Sequence, residues 1–355
     1  MLKKSFFLLI ALLLLYLLLW PNGVDPASWQ PPPAPAYAGP YEQNTRLQEM
    51  ELLFADQCEG CEDVAVDPAG RIYGGAVTGE LQLLDPRDGS VNVLANTGGR
   101  PLGLDFDRNG RLIVADAYQG LLAVDLQSGE TEELSKGLAG RNFGFTDDVE
   151  VGPDGRYYFS DASWKYGVGR YKLDLLEHRP YGSLFVYDPA TKTTALLLDS
   201  LYFANGIAVS PDTAFVLVNE TGKYRVTRYW LRGEKAGTAD TFIDNLPGFP
   251  DGISRGENGL YWLTLLSPRN ALLDRTLDKP FLRKIISRLP EFLKPKPERY
   301  NCILGLDAQG RVVFNLQDPA PRFAQISSVQ QQGDTLYFGS LTEKGVGRMA
   351  VPVKE

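Results

Sequence analysis

Histidine is almost missing from this chain, with His178 the single example in 355 residues. That scarcity excludes a histidine-rich metal site and any histidine pair, and it forces Ser-His-Asp chemistry, if present, through His178. The stretch around it, LLEHRP, reads as a loop with the imidazole exposed at the surface. Cysteine is nearly as scarce. Three residues cannot build a disulfide-rich scaffold. Cys58 and Cys61 form a C-x-x-C, but there is no second pair to complete a zinc site and no βαβ context for a thioredoxin-like role. A bridge from either one to Cys302 is conceivable in an exported domain. An excess of basic residues is also absent: 36 Lys and Arg stand against 44 Asp and Glu, a net charge of -8. No basic face is available for nucleic acid, whereas an acidic balance suits a cation site or simple solubility.

Long apolar runs are absent except for one. Lys3 and Lys4 precede residues 6–20, which are apolar almost without interruption but short of the ~20 residues that span a bilayer comfortably. Residues 1–22 read as a signal anchor with its lysines cytoplasmic, a cleaved signal peptide being the alternative. Residues 23–44, too proline-rich to continue a helix, read as a linker. The domain at 45–355 is then expected outside the cytoplasm, whether periplasmic, extracellular or lumenal, and secreted if the signal is cleaved.

What the chain does have is 44% apolar residues, 36 glycines and a repeat. CEGCEDVAVDPAGRIYGG begins at Cys58, GRPLGLDFDRNGRLIVAD at Gly99 and FGFTDDVEVGPDGRYYFSD at Phe143. FANGIAVSPDTAFVLVNE follows from Phe203, GFPDGISRGENGLYWLT from Gly248 and AQISSVQQQGDTLYFGS from Ala324. Each unit has a loop, an alternating apolar strand, a polar turn and a second β-branched or aromatic strand; Gly70, Gly110, Gly155 and Gly259 share one place in the turn. The spacing is near the ~40–50 residues of a propeller blade. Six units predict an all-β, six-bladed β-propeller with four-stranded blades. The last unit lacks a fourth strand, and EMELLFAD (residues 49–56) resembles the fourth strands elsewhere. The amino-terminal strand is therefore expected to close the last blade. One insertion in the fifth blade, about 268–299, reads as an amphipathic helix that packs on the rim or lies on a membrane surface at 279–294.

The residue two before each first strand is Glu62, Leu102, Asp147, Asn205, Asp251 and Ser327 in turn. In a propeller these positions meet at one end of the axial channel. Three carboxylates and an amide oxygen gathered there call for a cation, and an oxygen-only set without His or Cys selects calcium. Glu62, Asp147, Asn205 and Asp251 are the expected metal ligands; Asn205, followed by Gly206, is read as a turn residue too. Asp116, Tyr118, Asp161 and Glu220 end second strands and read as blade-surface residues.

The chain resembles the strictosidine synthase-like branch of the SMP-30/gluconolactonase/paraoxonase superfamily. RPLGLDFDRNGRLIVADAYQGLLAVD, LYFANGIAVSPD, VTRYWLRGEKAGTADTFIDNLPGFPDGIS and LLSPRN look especially like adipocyte plasma membrane-associated proteins and their bacterial relatives. The resemblance implies a six-bladed propeller and puts the family's calcium ligands on Glu62, Asp147, Asn205 and Asp251. Asp147 departs from the pattern, where Asn is common, and Leu102 stands where the paraoxonase branch has histidine. The plant synthase's catalytic glutamate has no clear counterpart. The function expected is a calcium-dependent lactonase or arylesterase acting on a small ester or lactone, with Asp251 or Asp147 activating water. The alternatives are a non-catalytic, calcium-stabilised propeller that binds a partner, or an amine–aldehyde condensation of the strictosidine synthase type.

Overall fold

Alternation of β-branched and aromatic residues with polar ones gives short strands, and the repeated Asp-x-x-Gly-Arg turns join them. At Asp67, Asp107 and Asp307 the carboxylate accepts the backbone N–H groups two and four residues on, and the Arg at the fourth place donates Nε back to it. Gly110, like its counterparts, has φ near +78°, which only glycine adopts without strain. The computed structural model describes residues 2–294 and 296–353.

Six four-stranded antiparallel sheets form a ring, each running from an inner strand at the channel to an outer one. The inner strands are Val64–Val66, Pro101–Phe106, Thr146–Val151, Ala204–Val209, Gly248–Arg255 and Ile326–Gln332. Glu51–Leu53 is the fourth strand of the sixth blade, paired antiparallel with Val346–Ala350 through Glu51↔Arg348 to Leu53↔Val346. The closure is as expected, though over three residues rather than eight. Six apolar clusters fill the six seams between blades, and a seventh, containing Leu102, Phe145 and Phe203, lies at one end of the channel.

Polar ties cross each seam beside the channel. Asp63, Asp105 and Asp148 accept backbone N–H groups of Leu104, Val151 and Ile207 at 3.0, 2.7 and 2.7 Å. Thr221 Oγ1 donates to Pro250 O, Thr264 Oγ1 to Ser327 O and Ser327 Oγ to Glu62 O, each at 2.7 Å. Each tie satisfies a buried backbone group that the next blade cannot.

Among the described residues two blades carry α-helices between their second and third strands. In the third blade this is α2 (Tyr171–Glu177), after α1 (Leu2–Leu19) at the amino terminus; in the fifth blade α3 (Ala271–Asp274) and α4 (Pro280–Ser287) make up the insertion. The helix expected at 279–294 ends at Ser287; Pro290 breaks it, and a 3-10 turn follows at Glu291–Leu293. Among the described residues no helix is long and apolar enough to cross a membrane. The 18 residues of α1 rise about 27 Å, just under the ~30 Å hydrocarbon core.

The proline-rich stretch is a strap packed on the propeller rather than a free linker. Ala27 and Trp29 donate N–H to Glu177 O and Leu277 O. Trp29 stacks on His178 at 4.5 Å, and the Lys223 ammonium sits over the Trp29 ring at 4.2 Å. His178 is therefore buried, 3% exposed, which corrects the surface reading. Desolvation and the Lys223 charge press its pKa down to about 3.

Candidate functional site

Each inner strand of blades two to six is irregular where it leaves the channel mouth. Register shifts fall between Pro101 and Leu104, Thr146 and Val149, Ala204 and Ile207, Pro250 and Ile253, and Ile326 and Ser328. A bulge re-aims the side chain at that position. Asn205-Gly206 is consequently part of a bulged strand, not a turn. The positive φ falls on Phe203, and Gly206 is needed for another reason: a Cβ there would stand 2.5 Å from Asp251 O and Ile253 N of the next blade.

Glu62, Leu102, Asp147, Asn205 and Asp251 line one cavity of about 190 Å³. Ser327, the sixth aligned residue, holds the carbonyl of Glu62 instead. Asn205 Nδ2 donates to Asp251 Oδ1 at 2.6 Å. Asp147 Oδ2 and Asp251 Oδ2 are buried with no hydrogen-bond partner. Burial, then the charges of Asp251 and Asp147, pushes Glu62 well above the usual carboxylate range. Asp147 is raised by burial and by Asp251 and Asp161, against Arg100. Asp251 rises to about 7 through burial, opposed by its bond from Asn205.

These side chains are not drawn into a closed cage: among the described residues no three His, Cys, Asp or Glu side chains form a metal-ligand group. The donor set nevertheless fits a hard cation. Two carboxylate oxygens lack partners, and half a turn of the Asn205 amide presents Oδ1 in place of Nδ2.

The loop leading to Glu62 is fastened twice. Cys58 and Cys61 form a disulfide, and Arg100 donates to Gly60 O at 2.7 Å and Gly75 O at 3.1 Å. Neither cysteine bridges to Cys302, which is free and buried, its thiol pushed up to about 12 by burial. Arg100 had no marker in the sequence, since GRPLG shows neither its burial nor the carbonyls it meets.

Asp116, Asp161 and Glu220 prove buried, which corrects their reading as blade-surface residues; Tyr118 is exposed. Each of the three accepts the N–H that opens the neighbouring inner strand, from Arg100, Phe145 and Tyr202 respectively. They set the backbone below the site and do not line the cavity.

The cavity walls are apolar, among them Phe145, Tyr171, Leu175, Phe203 and Phe249. One side is α2, the other the fifth-blade insertion, with Lys172, Lys294 and Lys296 among the lining residues.

Two family models match the chain: "Strictosidine synthase" over residues 147–234 and "Strictosidine synthase-like, N-terminal" over 39–82. Protein strictosidine synthase-like 6 of Arabidopsis thaliana is 35% identical over 309 residues, covering 85% of this chain and 82% of the relative. The chain belongs to the strictosidine synthase-like family. Another relative is the adipocyte plasma membrane-associated protein of Bos taurus, 35% identical over 344 residues, 90% of this chain and 82% of that one. Among solved structures, a gluconolactonase from Xanthomonas campestris superposes with a TM-score of 0.62 at 19% identity, covering 94% of this chain and 99% of that one. Regucalcin from Agrobacterium tumefaciens, described as a calcium-binding protein, gives 0.60 at 17%, covering 88% and 95%. For this family member these likenesses establish the six-bladed propeller shared with gluconolactonases.

Proposed function

We propose that this protein hydrolyses a small ester or lactone at the channel mouth, with calcium held by Glu62, Asp147, Asn205 and Asp251. The observation that carries the reading is the pair of buried, partnerless oxygens, Asp147 Oδ2 and Asp251 Oδ2, on the floor of an apolar cavity. Unpaired buried carboxylates are costly, and oxygen-only donors favour calcium over zinc or copper. Bound there, calcium would supply a Lewis acid for a carbonyl and its developing oxyanion. Phe145, Phe203 and Phe249 would grip the apolar part of the substrate and exclude bulk water. Asp251 or Asp147 would take the proton from attacking water. With Leu102 in the wall and His178 under Trp29, no imidazole takes part.

The seam ties from Asp63, Asp105 and Asp148 favour one competing reading, in which carboxylates and calcium only bind the blades together. Calorimetric titration of the full-length protein with calcium, paired with a panel of lactones and aryl esters with and without chelator, separates the two. Calcium binding with chelator-sensitive turnover is expected. Binding without turnover assigns the structural role, and absence of binding removes the proposal. An amine–aldehyde pair in the same panel reports strictosidine-type condensation.

The protein is further proposed to be membrane-associated, its propeller outside the cytoplasm. Support comes from the apolar α1 behind Lys3 and Lys4 and from the Cys58–Cys61 disulfide, which suits an oxidising compartment. Protease accessibility tests it, with protease admitted to the non-cytoplasmic side only (spheroplasts or opened lumenal compartments) and a cytoplasmic marker kept intact. Digestion of the propeller is expected, and a propeller as protected as the cytoplasmic marker refutes the orientation.

A further inference from the structure

We infer that the fifth-blade insertion is a docking surface for an anionic lipid bilayer. Residues 267–300 hold nine basic and four acidic side chains, within a chain of net charge -8. Arg283 and Arg288 are buried and the Arg269 side chain is turned to Asp274, but Arg275, Lys279, Lys296 and Arg299 are exposed. Attraction to anionic headgroups is thus concentrated where the rest of the molecule would repel them.

The insertion is also where large apolar side chains are left uncovered. On α4, Arg283 and Ser287 face inward, as does Arg288 just past its end, and the opposite side presents Phe281, 62% exposed, and Leu282. The next turn adds Phe292, 76% exposed, and Leu293, and α3 adds Leu272. Around them Arg275, Lys279 and Lys296 are exposed. A short amphipathic helix with aromatic and basic residues at its outer side has the chemistry of an interfacial segment.

A second, independent observation names the occupant. The carboxy-terminal end of α1 is fastened to α4. Arg288 donates Nε to Trp20 O at 2.7 Å and Nη1 to Leu17 O at 2.8 Å. Tyr16 Oη donates to Arg288 O at 3.0 Å, and Asn22 Nδ2 to Ser287 Oγ at 2.7 Å. Phe6 to Trp20 are otherwise exposed leucines and aromatics on all sides of a helix, so lipid is the medium that covers them. Whatever lipid receives α1 meets the insertion at its base. The insertion is held rigidly for this: the buried Arg283 donates to Thr276 O, Leu176 O, Leu277 O and Ala27 O, joining α4 to α2 and the strap. The docking surface stands whether or not the channel is catalytic.

The test is hydrogen–deuterium exchange on the full chain in lipid nanodiscs of phosphatidylglycerol or of phosphatidylcholine. Backbone amides of residues 280–293 should exchange about tenfold more slowly in the anionic discs. Phe281→Asp with Phe292→Asp should abolish that difference while α1 and the propeller strands keep their protection. Arg275→Glu with Lys279→Glu, which keeps the apolar side chains, should abolish it as well. Equal exchange in the two lipids overturns the inference, as does wild-type protection unchanged in both double variants. Protection that rises with protein concentration at fixed lipid would assign the surface to a second copy and overturn it too.

Discussion

Asp251 gives one oxygen to the Asn205 amide and keeps the other without a partner. Asp251→Asn preserves its shape and removes a charge that Glu62 and Asp147 both oppose. Without calcium the variant should melt at the wild-type temperature or above, because a repulsion is lost. The rise in melting temperature on adding calcium should be cut sharply, and differential scanning fluorimetry with and without chelator reads both. His178 supplies a second expectation. Its folded pKa, about 3, lies below the usual 6.5, so the unfolded chain binds the proton more readily. The contribution is complete above pH ~6.5 and is lost progressively as pH falls toward 3. His178→Asn should therefore unfold more easily than wild type at pH 8, and the gap between the two should narrow at pH 5 in urea titrations. The four candidate ligands were legible because the repeat aligns them. His178 was not, because its cover is Trp29, a residue 149 positions earlier in a stretch whose prolines announce only an absence of helix.

Among the elements, the insertion depends on one residue. Arg283→Met keeps the length of the side chain but removes the guanidinium from four carbonyls. Of these, Thr276 O and Leu277 O keep the backbone N–H groups of Lys279 and Trp29, while Leu176 O and Ala27 O lose the bond that ties α4 to α2 and the strap. A loss of about 3 kcal/mol is expected, from hydrogen bonds to a charged donor at 1.5–3 kcal/mol each less what solvent restores. It should be local: limited proteolysis should cut within 268–299 at a temperature where the propeller's circular dichroism is unchanged. Loss of both together would show that the insertion and the ring unfold as one unit. The strands and the closing segment could be read from alternation and from the repeat, since each blade poses the same packing problem. α2 could not, because the run from Tyr171 to Glu177 is too short for helical periodicity to separate from a loop. Its apolar face has meaning only against the cavity it walls.

For the molecule as a whole, the ring is held shut by Glu51–Leu53 on Val346–Ala350. A chain lacking the residues up to Asp56 should elute as aggregate and lose its cooperative melt, whereas one beginning at residue 23, which keeps both the strap and the closing strand, should stay dispersed and melt cooperatively. An equally sharp melt from the shorter chain would show that five complete blades and an open sixth suffice. The same contact sets a schedule during synthesis. Glu51 and Arg348, joined across the seam, are 297 residues apart. At translation rates of about 5–20 residues per second, the first strand waits roughly 15–60 s for its partner to be made. Throughout that interval five blades can assemble while the ring gapes, with unpaired backbone along an open sheet edge. The species most exposed to aggregation is therefore the nascent chain just short of its last hairpin, and conditions that slow elongation there should lower the yield of folded protein without altering its final stability.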